Sequence, residues 1–278
     1  MKRYDPDAAL FALKALKLID MYECVGLRDR IVRHIEADWP KSALEWVALH
    51  RVKQAYADVS RFHGEYESVE NKFPEPASAI RLAWDCSIPS ILPAAYLALV
   101  NVSTVQDWDT VRDGDELLPF DVKSARWNLL DSEDIRRLRR GKIHFWHQRG
   151  ELLDVIFDVP PSGCMGPSLD CQAELKYRRN EVTEDENDEG ALMPFPTDNL
   201  GIAWRLGLNA KKAATSAEHR VGIDPLVLLQ DISDAVPDYG LCERCSDCVC
   251  QNVAREMQRC WADLSAIFSL PTASTDTA

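Results

Sequence analysis

Glycine is scarce in this chain, 12 among 278 residues. Neither a phosphate-cradling glycine loop nor a G-x-S-x-G nucleophile elbow occurs, which removes the usual sequence basis for nucleotide hydrolysis and for α/β-hydrolase chemistry. Long apolar runs are missing too. None approaches the roughly 18 residues a membrane span requires, and Met1-Lys2-Arg3-Tyr4-Asp5 lacks the apolar core of a signal peptide. The expectation is an intracellular protein, cytoplasmic or nuclear, with no membrane partner. Positive charge is in deficit: 32 Lys and Arg stand against 45 Asp and Glu, a net charge of -13. Such a chain repels phosphate backbones and argues against nucleic acid as a partner. Histidine is sparse, with six residues at 34, 50, 63, 144, 147 and 219. Only His144 and His147 share a helical face, and no carboxylate stands between them as a zinc-hydrolase helix requires. No catalytic constellation assembles, so the expectation is a protein that is not an enzyme.

What the sequence does have is helical periodicity, and with 46% hydrophobic and 28% charged residues it can bury a core. Between Leu10 and Leu49, Leu10, Leu13, Leu16, Ile19 and Met21 alternate with Asp7, Lys14, Lys17, Asp20 and Glu23, giving one amphipathic helix. Gly26 punctuates. Leu27, Ile31, Ile35 and Trp39 then recur every four residues in a second helix that Pro40 ends. Ser42, followed three residues on by Glu45, opens a third helix carrying Leu44, Val47, Ala48, Val52, Ala55 and Val59. Phe73-Pro74-Glu75-Pro76 marks a boundary. Beyond it lie a stripe of Ala79, Leu82, Ala83 and Cys86 and a helix from Pro89 through Ala94, Leu97, Ala98 and Val100. Residues 102–120 read as irregular, anchored by Trp108 and Leu117-Leu118. Asp131 or Ser132 caps a helix that Gly141 is expected to close, its arginines at 136, 137, 139 and 140 forming a solvated face. Leu152, Val155, Ile156 and Val159 follow, up to a break at Pro160-Pro161. Asn180 to Gly190 is dominated by Glu and Asp, with Val182 its one large apolar side chain, and cannot repay the entropy of ordering. Asp224-Pro225 begins a further helix that Pro237 ends.

Nine cysteines in a chain without a secretory signal point to thiols or metal ligands ahead of disulfides. Cys242, Cys245, Cys248 and Cys250 crowd nine residues, and Cys164 and Cys171 form a looser pair after a Pro-Gly break. A C-x2-C pair fits one tetrahedral zinc when a second pair arrives from elsewhere, so the preferred ligand set is Cys164, Cys171, Cys242 and Cys245 with one structural zinc as cofactor. The alternatives are a cramped local set of the four clustered residues, thiols packed as small apolar side chains along a C-terminal helix with Cys260, and an iron–sulfur cluster. The last has a poor match in spacing, since Val249 alone separates the final two cysteines.

Several landmarks, in order, resemble the end of a BTB/POZ domain and its following helices in a group of basidiomycete fungal proteins. They are Lys17 to Glu23, Leu27-Arg28, Trp39-Pro40, Leu44-Glu45-Trp46, Ala79 to Ala83, Ile91 to Tyr96, Leu129-Leu130 to Gly141-Lys142, the Cys164 and Cys171 pair, Asp224-Pro225-Leu226, Cys242 to Cys245, Trp261 and Phe268 to Pro271. The expected function is a non-catalytic protein-interaction module, which the resemblance makes an adaptor presenting substrates to a ubiquitin ligase, with a cullin or a substrate protein as partner; the alternatives are a zinc-stabilised regulatory protein and a cryptic enzyme. The strand-rich BTB core does not precede these helices, so the resemblance implies a truncated or divergent member.

The expected fold is mainly α, an irregular multi-helix array. BTB-end and BACK-like helices fill 1–60, a helical region 76–178, an acidic disordered loop 179–200, a Cys-rich helical region packing on the rest 201–271, and a disordered tail 272–278. A face that a BTB core would cover must pack elsewhere or stay open, and Leu10, Phe11, Leu18 and Tyr22 are the expected interaction surface.

Overall fold

The computed structural model describes residues 4–62, 68–102, 107–112, 124–159, 164, 171–183 and 224–271. Among these the fold is helical, with no strand and a single isolated bridge between Asp107 and Ala125. The expected loop at 184–200, the stretch 201–223, Leu117-Leu118 and the tail at 272–278 lie outside the described residues. No described helix is long and apolar enough to cross a membrane. The chain divides into two compact units, 1–142 with 263–278, and 143–262.

The first unit opens with α1 (Ala8–Met21), α2 (Val25–Glu36) and α3 (Ala43–Phe62). Ala8, Ala9, Ala12, Leu16 and Ile19 form the buried face of α1, and its small residues admit α2 and α4 closely. Met21, expected inside, is 75% exposed because it lies nearly half a turn away from that face. The break after α1 falls earlier than Gly26. Glu23 adopts the left-handed conformation, φ 53°, and the Cys24 N–H closes back on the Ile19 carbonyl at 3.2 Å, so Gly26 sits inside α2. Ile35 and Trp39 are buried as expected, while Leu27 is exposed.

Ser42 caps α3 as its spacing predicts: its Oγ accepts from the Glu45 N–H at 3.2 Å, and Glu45 Oε2 accepts from the Lys41 N–H at 2.8 Å. The buried face of α3 is not the expected one. Of Leu44, Val47, Ala48, Val52, Ala55 and Val59, only Val47 is buried; Ala43, Trp46, Ala57 and Ser60 turn inward with it. The Trp46 indole removes more apolar area from water than any single Ala or Val of the outer row. Lys53 joins that inner side, its Nζ 3.4 Å from Glu70 Oε2 and 5.0 Å from the centre of the Phe73 ring.

The expected boundary at Phe73–Pro76 is a helix start. Glu75 is the N-cap of α4 (Pro76–Asp85), accepting from the N–H groups of Ala77 and Ser78 at 2.8 and 2.7 Å. Glu75 is wholly buried, and burial pushes its carboxyl above the usual range against the pull of those N–H bonds. It also accepts from the Arg126 N–H at 3.2 Å. The Arg126 guanidinium in turn bonds Asp7 at the start of α1 and Asp109 at 3.0 Å, and lies 5.3 Å from the Trp108 ring centre. Trp108 opens α6 (Trp108–Arg112), inside the stretch expected to be irregular, and is the buried anchor it was expected to be. Three distant segments are thus tied to Arg126.

α4 and α5 (Leu92–Val100) form the deepest layer, with Ala79, Ile80, Leu82, Leu92, Leu97 and Leu99 all wholly buried. Tyr96 donates to Asp134 at 2.5 Å, and Trp84 Nε1 donates to the same carboxylate at 3.1 Å. Asp134 belongs to the first turn of α7 (Ser132–Phe157), which Asp131 caps by accepting from the N–H groups of Glu133 and Asp134, each at 2.8 Å. Gly141 does not close this helix, which runs on for four more turns. Its missing side chain makes room for Phe268, since a Cβ there would overlap the ring. Phe268 stacks on Tyr96 with ring centres 5.2 Å apart. Leu264, Ile267 and Phe268 are buried, and Trp261 is half-buried.

In the second unit, α7 continues through the buried Leu152, Leu153 and Ile156. α8 (Cys171–Thr183) extends five residues into the expected acidic loop; an Arg178–Glu174 pair at 2.7 Å supports it one turn earlier. α9 (Pro225–Ala235) is capped by Asp224 and leads through a 3-10 turn, Val236–Tyr239, to Gly240 at φ 66°. α10 (Glu243–Ile267) takes the Cys-rich segment as its opening turns.

Candidate metal centre

Two helix beginnings build the site. Cys171 is the first residue of α8, Cys242 immediately precedes α10, and Cys245 lies in the first turn of α10. Backbone carbonyls at and just past the end of α7 hold these beginnings in place. Asn252 of α10 donates its amide to the Val155 and Ile156 carbonyls at 3.3 and 3.2 Å, occupying acceptors that the last turn of α7 leaves open. Gln172 of α8 does the same for the Val159 carbonyl at 3.0 Å. Tyr239 packs 6.4 Å from the Phe157 ring and 5.1 Å from the Arg178 guanidinium, so the turn leading into Cys242 is anchored on both sides.

The result is a cluster of four thiols, Cys164, Cys171, Cys242 and Cys245, with all four Sγ atoms within 4.8 Å of one another. Cys164 Sγ and Cys242 Sγ are 3.8 Å apart. Zinc–thiolate bonds of about 2.3 Å at tetrahedral angles set the sulfur–sulfur edge at about 3.8 Å, whereas a disulfide needs about 2.05 Å. Cys171 and Cys245 are buried; Cys164 and Cys242 are half-buried. The Cys242 N–H donates to Cys171 Sγ at 3.3 Å.

The electrostatics divide in two. Burial, reinforced by the neighbouring Cys242 and Cys164 thiols, drives the Cys245 thiol far above its ordinary value. At Cys171 the N–H bond from Cys242 pulls downward, but burial and the adjoining thiols outweigh it and the net shift is up. Thiolates here therefore need a compensating cation. Once one is present, the amino ends of α8 and α10 favour the net-negative thiolate set that surrounds it. Soft sulfur ligands at tetrahedral spacing can hold a metal ion such as zinc.

No family model, curated protein or solved structure matches this chain.

The structure brings together the set preferred from spacing. Cys248 and Cys250, three and five residues past Cys245 on α10, stay outside it. Cys260 is a buried thiol further along α10. His144 and His147 are exposed on α7. On α1, Phe11, Leu18 and Tyr22 stand 59%, 57% and 74% exposed, while Leu10 is half-buried. The supporting amides of Gln172 and Asn252 carried no signal in the sequence, since their acceptors lie 13 and about 96 residues away.

Proposed function

We propose that this chain is a non-catalytic protein-interaction scaffold whose 143–262 unit is fastened by one structural zinc ion. The observation that carries the reading is the convergence of four thiols at tetrahedral spacing on two helix amino ends. A closed set of four protein ligands leaves no coordination position for substrate or water, which is the arrangement of structural rather than catalytic zinc. The open row of Phe11, Leu18 and Tyr22 on α1 supports the interaction role, since large apolar side chains aligned on one helix face mark a contact surface. The partner class follows from the resemblance to BTB proteins: a cullin or a substrate protein, with this chain as the adaptor between them.

Metal analysis of the full chain purified from zinc-replete cells is expected to give about one zinc per chain, and chelator is expected to lower the melting temperature. Cys171→Ser and Cys245→Ser should each reduce the metal content. Metal-free protein whose melting is unchanged by chelator would sink the zinc reading. The adaptor reading is tested separately by affinity capture from a fungal lysate, which should recover a cullin; recovery of neither a cullin nor any reproducible partner removes it.

A further inference from the structure

Helix α3 carries an apolar row on its outer face. Leu44, Ala48, Val52, Ala55 and Val59 are all exposed. At about 100° per residue they fall in a sector of roughly 80°, and the row is about 22 Å long. Isolated surface apolar residues are ordinary. Five in register along one helix, on the side opposite a buried Trp46, are not scattered.

The composition of the row says what covers it. Set against itself in the opposite direction, the row places Ala48 beside Val59 of a second copy, Val52 beside Ala55, and the same two layers again by symmetry. Every valine meets an alanine, so small opposes large in these layers and the helices can approach closely. Set parallel and in register, valine would meet valine and alanine would meet alanine. Charge selects the same arrangement. Arg51 and Asp58, both exposed, flank the row on one edge. In an antiparallel pair that edge meets itself, and Arg51 of each copy lies within about 3 Å, measured along the axis, of Asp58 of the other. Asp58 also accepts from Gln54 at 3.3 Å within its own helix, a surface bond that exchanges readily with an intermolecular one.

We propose that α3 is a self-association surface through which two copies of this chain pair antiparallel about a two-fold axis near residue 53. Such a pair is isologous and closed, so it stops at a dimer. One helix face contributes less than the roughly 1,200 Å² at which stable interfaces begin, so the association is weak and reversible. It does not rest on the metal reading, since α3 carries none of the four cysteines.

Sedimentation equilibrium of the full chain, up to about 100 µM, tests it. Wild type should show a concentration-dependent monomer–dimer equilibrium. Val52→Asp should weaken it by about tenfold or more, as should Arg51→Asp and Asp58→Arg alone. The double variant R51D/D58R should recover the wild-type constant to within about threefold, because the pair is restored with its signs exchanged. R51D and D58R mixed should bind each other better than either binds itself. These positions are exposed, so unchanged helicity by circular dichroism separates lost association from lost folding. A chain that stays monomeric throughout overturns the proposal, as does a dimer indifferent to Val52→Asp. Loss of association in Val52→Asp without rescue in the double variant overturns the antiparallel register.

Discussion

Two glycines of one helix illustrate how much a single methyl group decides. Gly141 and Gly150 both lie within α7, where alanine is intrinsically better by about 1 kcal/mol. At Gly150 nothing stands within 4 Å of an added Cβ, whereas at Gly141 the Cβ overlaps the Phe268 ring. That ring is wholly buried and stacked on Tyr96, so it cannot swing aside. Overpacking of this kind costs about 1–3 kcal/mol and outweighs the helical gain. Gly150→Ala is therefore expected to raise the urea midpoint modestly, and Gly141→Ala to lower it by the equivalent of about 1–2 kcal/mol. Equal shifts for both would mean that Phe268 does not occupy the notch. The sequence showed Gly141 only as a helix-ending residue, because the ring that requires it lies 127 positions further along the chain.

Helical period was legible almost everywhere; which face of a helix turned inward was legible only where one face was clearly richer in apolar residues. α4 and α5 buried the stripes their spacing indicated. α3 did not, because Trp46 and a smaller residue set competed with a continuous Ala and Val row, and the choice depended on what α3 meets, around Val69–Lys72 and Phe73. The capping residues Ser42, Asp131 and Asp224 were legible because a cap is a local bond. Ties between helices were not. One such tie joins α1 to α4: Asp85 accepts from Lys17 at 3.1 Å and pairs with Arg81. Burial works to raise the Asp85 carboxyl, but the Lys17 and Arg81 bonds prevail and hold it below its usual 3.8. A depressed folded value means a contribution present above the unfolded pKa and lost as pH falls through the folded one. Asp85→Asn should thus cost about 0.5–1 kcal/mol at pH 7, the range of a partly exposed pair. The gap between variant and wild type should close as pH falls through the depressed folded value. A gap that persists in acid would assign the cost to packing rather than to charge.

At the scale of the whole chain, the two units differ in what holds them. The first has the wholly buried α4 and α5 layer and the Arg126 junction, and none of the four clustered thiols. The second has the cysteine cluster, which two cysteine pairs in the sequence were enough to propose, beside packed thiols and an iron–sulfur cluster as alternatives. What spacing could not supply was the reason the pairs meet, namely the Asn252 and Gln172 amides on the open carbonyls at the end of α7. A bound ion stabilises only what must open to release it. At a free concentration a thousand times its dissociation constant that is about 4 kcal/mol, or roughly a thousandfold in the opening equilibrium. α10 runs from Cys245 in one unit to Leu264 in the other, so it carries its own internal comparison. Hydrogen exchange of the zinc-loaded chain, before and after chelator, should accelerate by up to about a thousandfold in the first turns of α8 and α10. The amides of α4, α5 and the last turns of α10 around Leu264 should keep their protection. Uniform acceleration along α10 would mean that the two units open together, and no acceleration at its first turns would mean that the cluster holds no metal.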